Sequence, residues 1–202
     1  MNSKKGTWLR ISGICGIMTP LVALVCISLA ITYSPQFSWT ENALSDLGIQ
    51  EGITAPLFNY GLIISGFLAL IFAKGIFSLM QTSIFGKIGA TAFILDTITL
   101  IAIGVFPENA KPMHFYASVI FFLLFPISMF ILTAALLRQR QVKTGLFTLA
   151  VAMIAATPWV ALLLVRYVQN VAIPETISAL AASTWAILLG VKMLKQTSHS
   201  NG

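Results

Sequence analysis

The chain has 202 residues, of which 57% are hydrophobic and 9% charged, with a mean hydropathy of +0.91. This composition excludes a water-soluble globular domain and points to an integral membrane protein. Twelve Lys and Arg against six Asp and Glu give a formal charge of +6, yet the charges fall in short clusters between apolar runs and build no patch for nucleic acid.

A helix that crosses a hydrocarbon core about 30 Å thick needs about 20 apolar residues. Six runs meet that requirement and predict spans near Thr7–Tyr33, Ile53–Leu79, Ile84–Phe106, Met113–Arg138, Lys143–Val168 and Pro174–Leu194. The expected fold is an all-α integral membrane bundle of six transmembrane helices, one membrane domain over residues 1–202. The runs are continuous and lack the alternation of β-barrel strands.

Lys4 and Lys5 precede the first run, and Ser28-Leu29-Ala30 looks like a signal-peptidase site. The apolar stretch is much longer than the roughly 7–15 residues of a secretory signal, so it is read as a span. Cys15 and Cys26 both lie within it, eleven residues apart. At the helical rise they are about 16 Å apart, too far to bond, and are read as packing residues.

Orientation follows from which helix ends carry Lys and Arg. One side holds Lys4, Lys5, Arg10, Lys74, Lys87, Arg138, Arg140, Lys143, Lys192 and Lys195, ten bases with no acid. The other holds Lys111 and Arg166 among Glu41, Asp46, Glu51, Glu108 and Glu175, while Asp96 lies inside the third span. The total of +6 is thus +10 on one side and 2 − 6 = −4 elsewhere. The expected location is the cell membrane, with both termini cytoplasmic and an acidic, polar face outward.

The outward connection Ser34–Gly52 is nineteen residues long and rich in polar groups. Loops carry function more often than the spans beneath them. Thr40 or Ser38 is positioned to cap a short helix that would put Glu41 and Ser45 on one face, one turn apart, with Gly48 as its stop. Such a helix would press Trp39, Leu44 and Leu47 toward lipid or the bundle and lift carboxylates over its centre. Glu41, Glu108 and Glu175 are spaced by 67 and 67, and Glu41-Asn42-Ala43 recurs as Glu108-Asn109-Ala110. Either three repeated hairpins or equal helix lengths set by one bilayer thickness account for this spacing.

Asp96 lies about 15 Å below the outer end of its helix, near the midplane, where a charge costs about 2.5–3.5 kcal/mol on insertion scales. It must face protein or water, as a proton-accepting or ligand-binding carboxylate or as a structural acid bonded to a hydroxyl. Thr99 and Gly89 share its face. Arg166, expected in the fifth helix with Trp159, Gln169 and Asn170 on its face, either snorkels to lipid phosphates or grips an anion bidentately in a pocket. His114 opens the fourth helix with Ser118 one turn on, and would serve as general base, ligand or structural contact. A zinc site generally needs about three ligands; one outward histidine does not supply them, and His199 falls in the cytoplasmic tail. No metal and no cofactor is expected. Ser45 is a candidate nucleophile only by elimination, since no GxSxG elbow or P-loop occurs.

Ser38-Trp39-Thr40-Glu41-Asn42-Ala43-Leu44-Ser45-Asp46-Leu47-Gly48, together with Phe106-Pro107 followed by His114 and Ser118, resembles a family of small six-span prokaryotic membrane proteins catalogued as the domain of unknown function 998. The resemblance covers nearly the whole chain and implies the six-span fold. A more distant likeness to the Frag1/DRAM/Sfk1 group implies a lipid-related role. The bundle is also similar to those of membrane hydrolases of the alkaline ceramidase and adiponectin-receptor type, but the chain lacks their histidine set.

Three functions follow as expectations. The first is an outward pocket of Glu41, Asn42, Asp46, Glu108 and His114, with Arg166, above Asp96, that binds a lipid headgroup or small polar ligand. The second is a lipid-modifying enzyme with His114 as base, Glu41 or Asp46 as its partner, and Arg166 stabilising an anion. The third is proton-coupled transport through Asp96. Membrane lipids are the expected partners, and the oligomeric state is left open.

Overall fold

The computed structural model describes residues 3–198; His199 lies outside the described residues. Six helices run α1 (Ser3–Thr32), α2 (Thr54–Leu79), α3 (Ile84–Val105), α4 (Met113–Arg138), α5 (Val142–Val165) and α6 (Ala172–Ser198), and no strand is present among the described residues. The span boundaries read from the sequence fall within four residues of these ends. All six helices are long and apolar enough to cross a membrane. Large apolar side chains such as Val25, Ile64, Phe67, Leu123, Leu163 and Leu164 are exposed on the outside. An apolar exterior on this scale needs lipid as its solvent.

Each helix packs against its neighbour in sequence, and α6 returns against α1, so the bundle is a closed ring. The closing contact is an approach of two backbones. A Cβ on Gly190 would lie 2.6 Å from the Gly13 carbonyl oxygen, and one on Gly13 would lie 2.8 Å from that of Gly190. Small residues permit this approach where lipid leaves no hydrophobic drive for helix association. The same device seats α3 on α4, where a Cβ on Gly89 would lie 3.0 Å from the Leu132 nitrogen. Helices α1, α4 and α5 continue through Pro20, Pro126 and Pro158.

Inside the ring the apolar residues form two clusters. One fills the half nearer the chain termini, around Phe72, Phe93, Phe125, Met129, Leu132 and Trp185. Four of these make an aromatic floor across the ring, with edge-on centroid separations of 5.1 Å for Phe93–Trp185, 5.7 Å for Phe72–Trp185, 6.1 Å for Phe72–Phe93 and 6.4 Å for Phe93–Phe125. Trp185 is locked in place by donating Nε1–H to Thr148 Oγ1 at 3.1 Å. The second cluster lies at the loop end and joins Leu44 and Leu47 of the first loop to Phe58, Leu62, Ile103 and Ala117.

Two local expectations are corrected. The fifth helix ends at Val165, short of the expected Val168, because Arg166 turns into the left-handed region with φ 41°. The backbone amides of Gln169 and Asn170 then leave the helical path and both donate to the Thr40 carbonyl, at 3.2 and 3.1 Å. In the first loop the short helix is 3-10, begins at Leu44 and contains Gly48, so Glu41 and Asn42 lie outside it.

Ring closure makes a direct prediction. Gly190→Ala drives a methyl group into the α1 backbone and should lower stability by about 1–3 kcal/mol, the range of overpacked cores. The thermal midpoint of the purified protein in detergent checks this, and an unchanged midpoint would show that α1 and α6 separate freely.

Candidate functional site

The segment between α1 and α2 folds inward as a lid. Leu44, Ser45, Leu47 and Gly48 are all buried, so their polar groups require protein partners. Glu175, in the first turn of α6, accepts the Leu44 N–H on Oε2 at 2.6 Å. Ser45 donates its hydroxyl to Glu108 Oε2 at 3.0 Å, and Asn59 on α2 donates Nδ2–H to the Gly48 carbonyl at 2.8 Å. The Ala172 N–H donates to the Asn42 carbonyl at 3.0 Å, and Asn170 Nδ2–H to that of Glu41 at 3.1 Å. The lid is thereby fixed to α2, to the α3–α4 turn and to the start of α6.

Glu108 also meets His114 Nε2 at 2.8 Å, and Lys111 Nζ stands 3.9 Å from its other oxygen. His114 is buried, and its Nδ1 donates to the Phe106 carbonyl at 2.7 Å. Ser118 Oγ lies 3.2 Å from the same Nε2. Ser45, Glu108, His114 and Ser118 thus form a continuous polar line from the lid to α4.

Beneath the lid and above the aromatic floor is a cavity of about 130 Å³. Its walls come from α1, α2, α3, α4 and α6, with Ile27, Leu62, Phe93, Leu100, Phe121 and Ala182 among them; α5 contributes none. Polar groups punctuate this surface at two levels. Ser45, Ser118 and Glu175 stand at the lid, and Asp96 with Thr97 lies at mid-depth. Thr97 satisfies its hydroxyl on the Ile94 carbonyl at 2.7 Å. Asp96 is 2% exposed, and its Oδ1 has no hydrogen-bond partner.

The expected site residues therefore separate. Ser45, Glu108, His114 and Ser118 come together, and Asp96 faces the space below them. Glu41 is exposed at the surface and meets neither His114 nor the cavity. Asp46 turns back on its own loop, where Oδ2 accepts from the Ala43 N–H at 3.0 Å and from Asn42 Nδ2 at 2.8 Å. Asn42 Oδ1 in turn accepts the Ser38 N–H at 2.9 Å. These two residues shape the loop, and the carboxylates expected over the bundle centre are absent from it. His114 has Glu108 as its acid, in place of Glu41 or Asp46. Arg166 is exposed where the fifth helix ends and does not line the cavity. Trp159, expected on its face, turns inward, stacks on Phe122 at 4.6 Å and donates to Ser178 Oγ at 2.9 Å. Thr99 bonds the Asp96 carbonyl at 2.7 Å, so it is not the carboxyl group's partner.

Glu175 is the site residue that sequence reasoning left out. The one signal for it was the 67-residue spacing. The three glutamates do reach the same end of the bundle, Glu41 and Glu108 in turns and Glu175 in a helix. Among the described residues no group of three His, Cys, Asp or Glu could hold a metal ion.

Six apolar helices around a lidded internal cavity define a multi-pass integral membrane protein. The family model "Protein of unknown function (DUF998)" matches residues 17–192, and the chain belongs to that family. The match takes in all the residues of the lid, the cavity wall and the polar line. No curated protein and no solved structure matches the chain.

Removing the Glu175 acceptor leaves a buried N–H unpaired, at a cost of about 1–3 kcal/mol. In Glu175→Ala, hydrogen exchange of the Leu44–Ile49 amides should accelerate about tenfold or more, with a smaller change in Glu175→Gln, whose amide oxygen still accepts. Equal exchange in all three proteins would mean that the other loop contacts alone hold the lid.

Proposed function

We propose that the protein binds a lipid-like amphiphile, with the apolar part of the ligand in the cavity below the lid. The observation that carries this reading is the cavity itself, walled by aromatic and aliphatic side chains and supplied with a few polar groups at two levels. Ligand sites commonly combine these features. A volume of about 130 Å³ compares with the cavity of about 150 Å³ that takes benzene in an engineered protein core. It suits a single chain end or one ring, and is too small for a whole two-chain lipid. The lid and the polar line lie at the loop end, and the concentration of Lys and Arg at the other end supports an outward-facing site with cytoplasmic termini.

A long-chain alcohol carrying a diazirine, photolysed with the protein in nanodiscs and mapped by mass spectrometry, tests the reading. Labels are expected on cavity residues such as Phe121 and Leu100, and Ala182→Phe, which fills the space, should reduce them at least fivefold. Labels confined to outer residues such as Leu163 and Leu164, unchanged by Ala182→Phe, would refute it.

A second reading is favoured by one observation, the approach of Ser118 Oγ to His114 Nε2 at the cavity wall. It is acyl transfer or hydrolysis with Ser118 as nucleophile and the His114–Glu108 pair as the proton acceptor. A fluorophosphonate probe should then label Ser118, and the label should vanish in Ser118→Ala and fall at least tenfold in His114→Gln. An unlabelled Ser118 in the folded protein leaves the binding function alone standing.

A further inference from the structure

We infer that the ligand's polar group is an amine, bound as an ammonium cation by the Asp96 carboxylate within the cavity. This deepens the proposed amphiphile site and rests on it. The carboxyl group is 2% exposed, stands in the cavity wall, and has an oxygen, Oδ1, with no donor offered by any described residue. A buried polar group without a partner costs free energy that a ligand donor recovers. Of the threonine hydroxyls in the cavity wall, Thr97 is committed to the Ile94 carbonyl at 2.7 Å and Thr19 to the Cys15 carbonyl at 2.8 Å. Neither can turn to Asp96 without losing a bond.

Charge selects among the ligands that could supply a donor. The cavity wall contains two acids, Asp96 and Glu175, and no Lys, Arg or His among the described residues. Glu175 is already engaged with the Leu44 amide, which leaves Asp96 to receive the ligand. Arg166 and Lys111, the bases of the loop end, lie outside the lining. A phosphate or carboxylate headgroup would therefore meet only like charge in a medium of low dielectric. An alcohol can donate one hydrogen bond, whereas an ammonium donates up to three and brings the opposite charge. The apolar walls around Asp96 then hold the carbons next to the ammonium group. A long-chain primary amine fits these conditions.

The experiment is competition against the diazirine alcohol in nanodiscs, with dodecylamine, dodecanol and dodecyl phosphate as competitors. In the unaltered protein dodecylamine should displace the label at a concentration at least tenfold below dodecanol, with dodecyl phosphate the weakest. In Asp96→Asn the amine should lose that advantage while the alcohol label on the cavity persists. Equal competition by amine and alcohol in the unaltered protein would overturn the inference and leave the amphiphile site intact, and so would an amine advantage that survives Asp96→Asn. A probe that never labels the cavity would instead bring down the amphiphile site, and the amine assignment with it. The ranking in the unaltered protein decides the question even if Asp96→Asn does not fold.

Discussion

The hydrogen bond from the Leu44 amide to Glu175 is the contact on which the upper half of the molecule turns. A non-helical segment at the end of a membrane bundle cannot be buried unless its backbone groups find partners, because lipid offers none. Glu175 meets this demand from the first turn of α6, the helix that also closes the ring against α1. One acidic side chain therefore ties the lid to the closing element. Glu108 repeats the arrangement from the α3–α4 turn by holding Ser45, the next residue of the lid. Two neighbouring residues of one short 3-10 helix are thus anchored by acids from opposite sides of the ring.

What the lid covers is a void that packing alone would not leave. The floor shows that these helices can pack tightly: Phe72, Phe93, Phe125 and Trp185 fill the ring one level below, edge on face. Along α6, Trp185 is followed toward the loop end by Ala182, Ala179 and Glu175, all in the cavity wall. The large side chain gives way to small ones at the level where the space opens. The space thus follows from the choice of residues along α6.

The parts of this structure that were legible in the sequence are those set by one-dimensional constraints. Bilayer thickness fixes helix length, so six apolar runs gave the spans and nearly their ends. The close backbone approaches fall at Gly13 and Gly89, where the absence of a side chain permits them. The site was legible where chemistry and position coincided: His114 and Ser118, four residues apart on one helix, had to be neighbours, and Asp96 had to face the interior. The loop was not legible in this way, because its structure is decided by long-range partners. Asp46 and Glu175 look alike as isolated acids. One bonds three residues back along the chain, and the other crosses to Leu44, 131 residues away. Arg166 failed for a different reason. Helical periodicity placed it beside Gln169 and Asn170, but the helix had already ended, since those amides were needed at the Thr40 carbonyl.

The separation between the polar line and the buried acid has a mechanical meaning. Ser45 and Ser118 belong both to the cavity wall and to the Glu108–His114 line, whereas Asp96 belongs to the cavity alone. If the proposed ligand sits on Asp96 and reaches the lid, it meets hydroxyls that are already bonded within the line. Taking a hydrogen bond from Ser45 would cost the lid its hold on Glu108, and taking one from Ser118 would loosen its approach to His114. On the proposed amphiphile site, binding and the position of the lid would be coupled through the same two hydroxyls. The transmembrane ring is closed by the Gly13–Gly190 approach and filled by the aromatic floor, and the six-residue 3-10 helix lies above it.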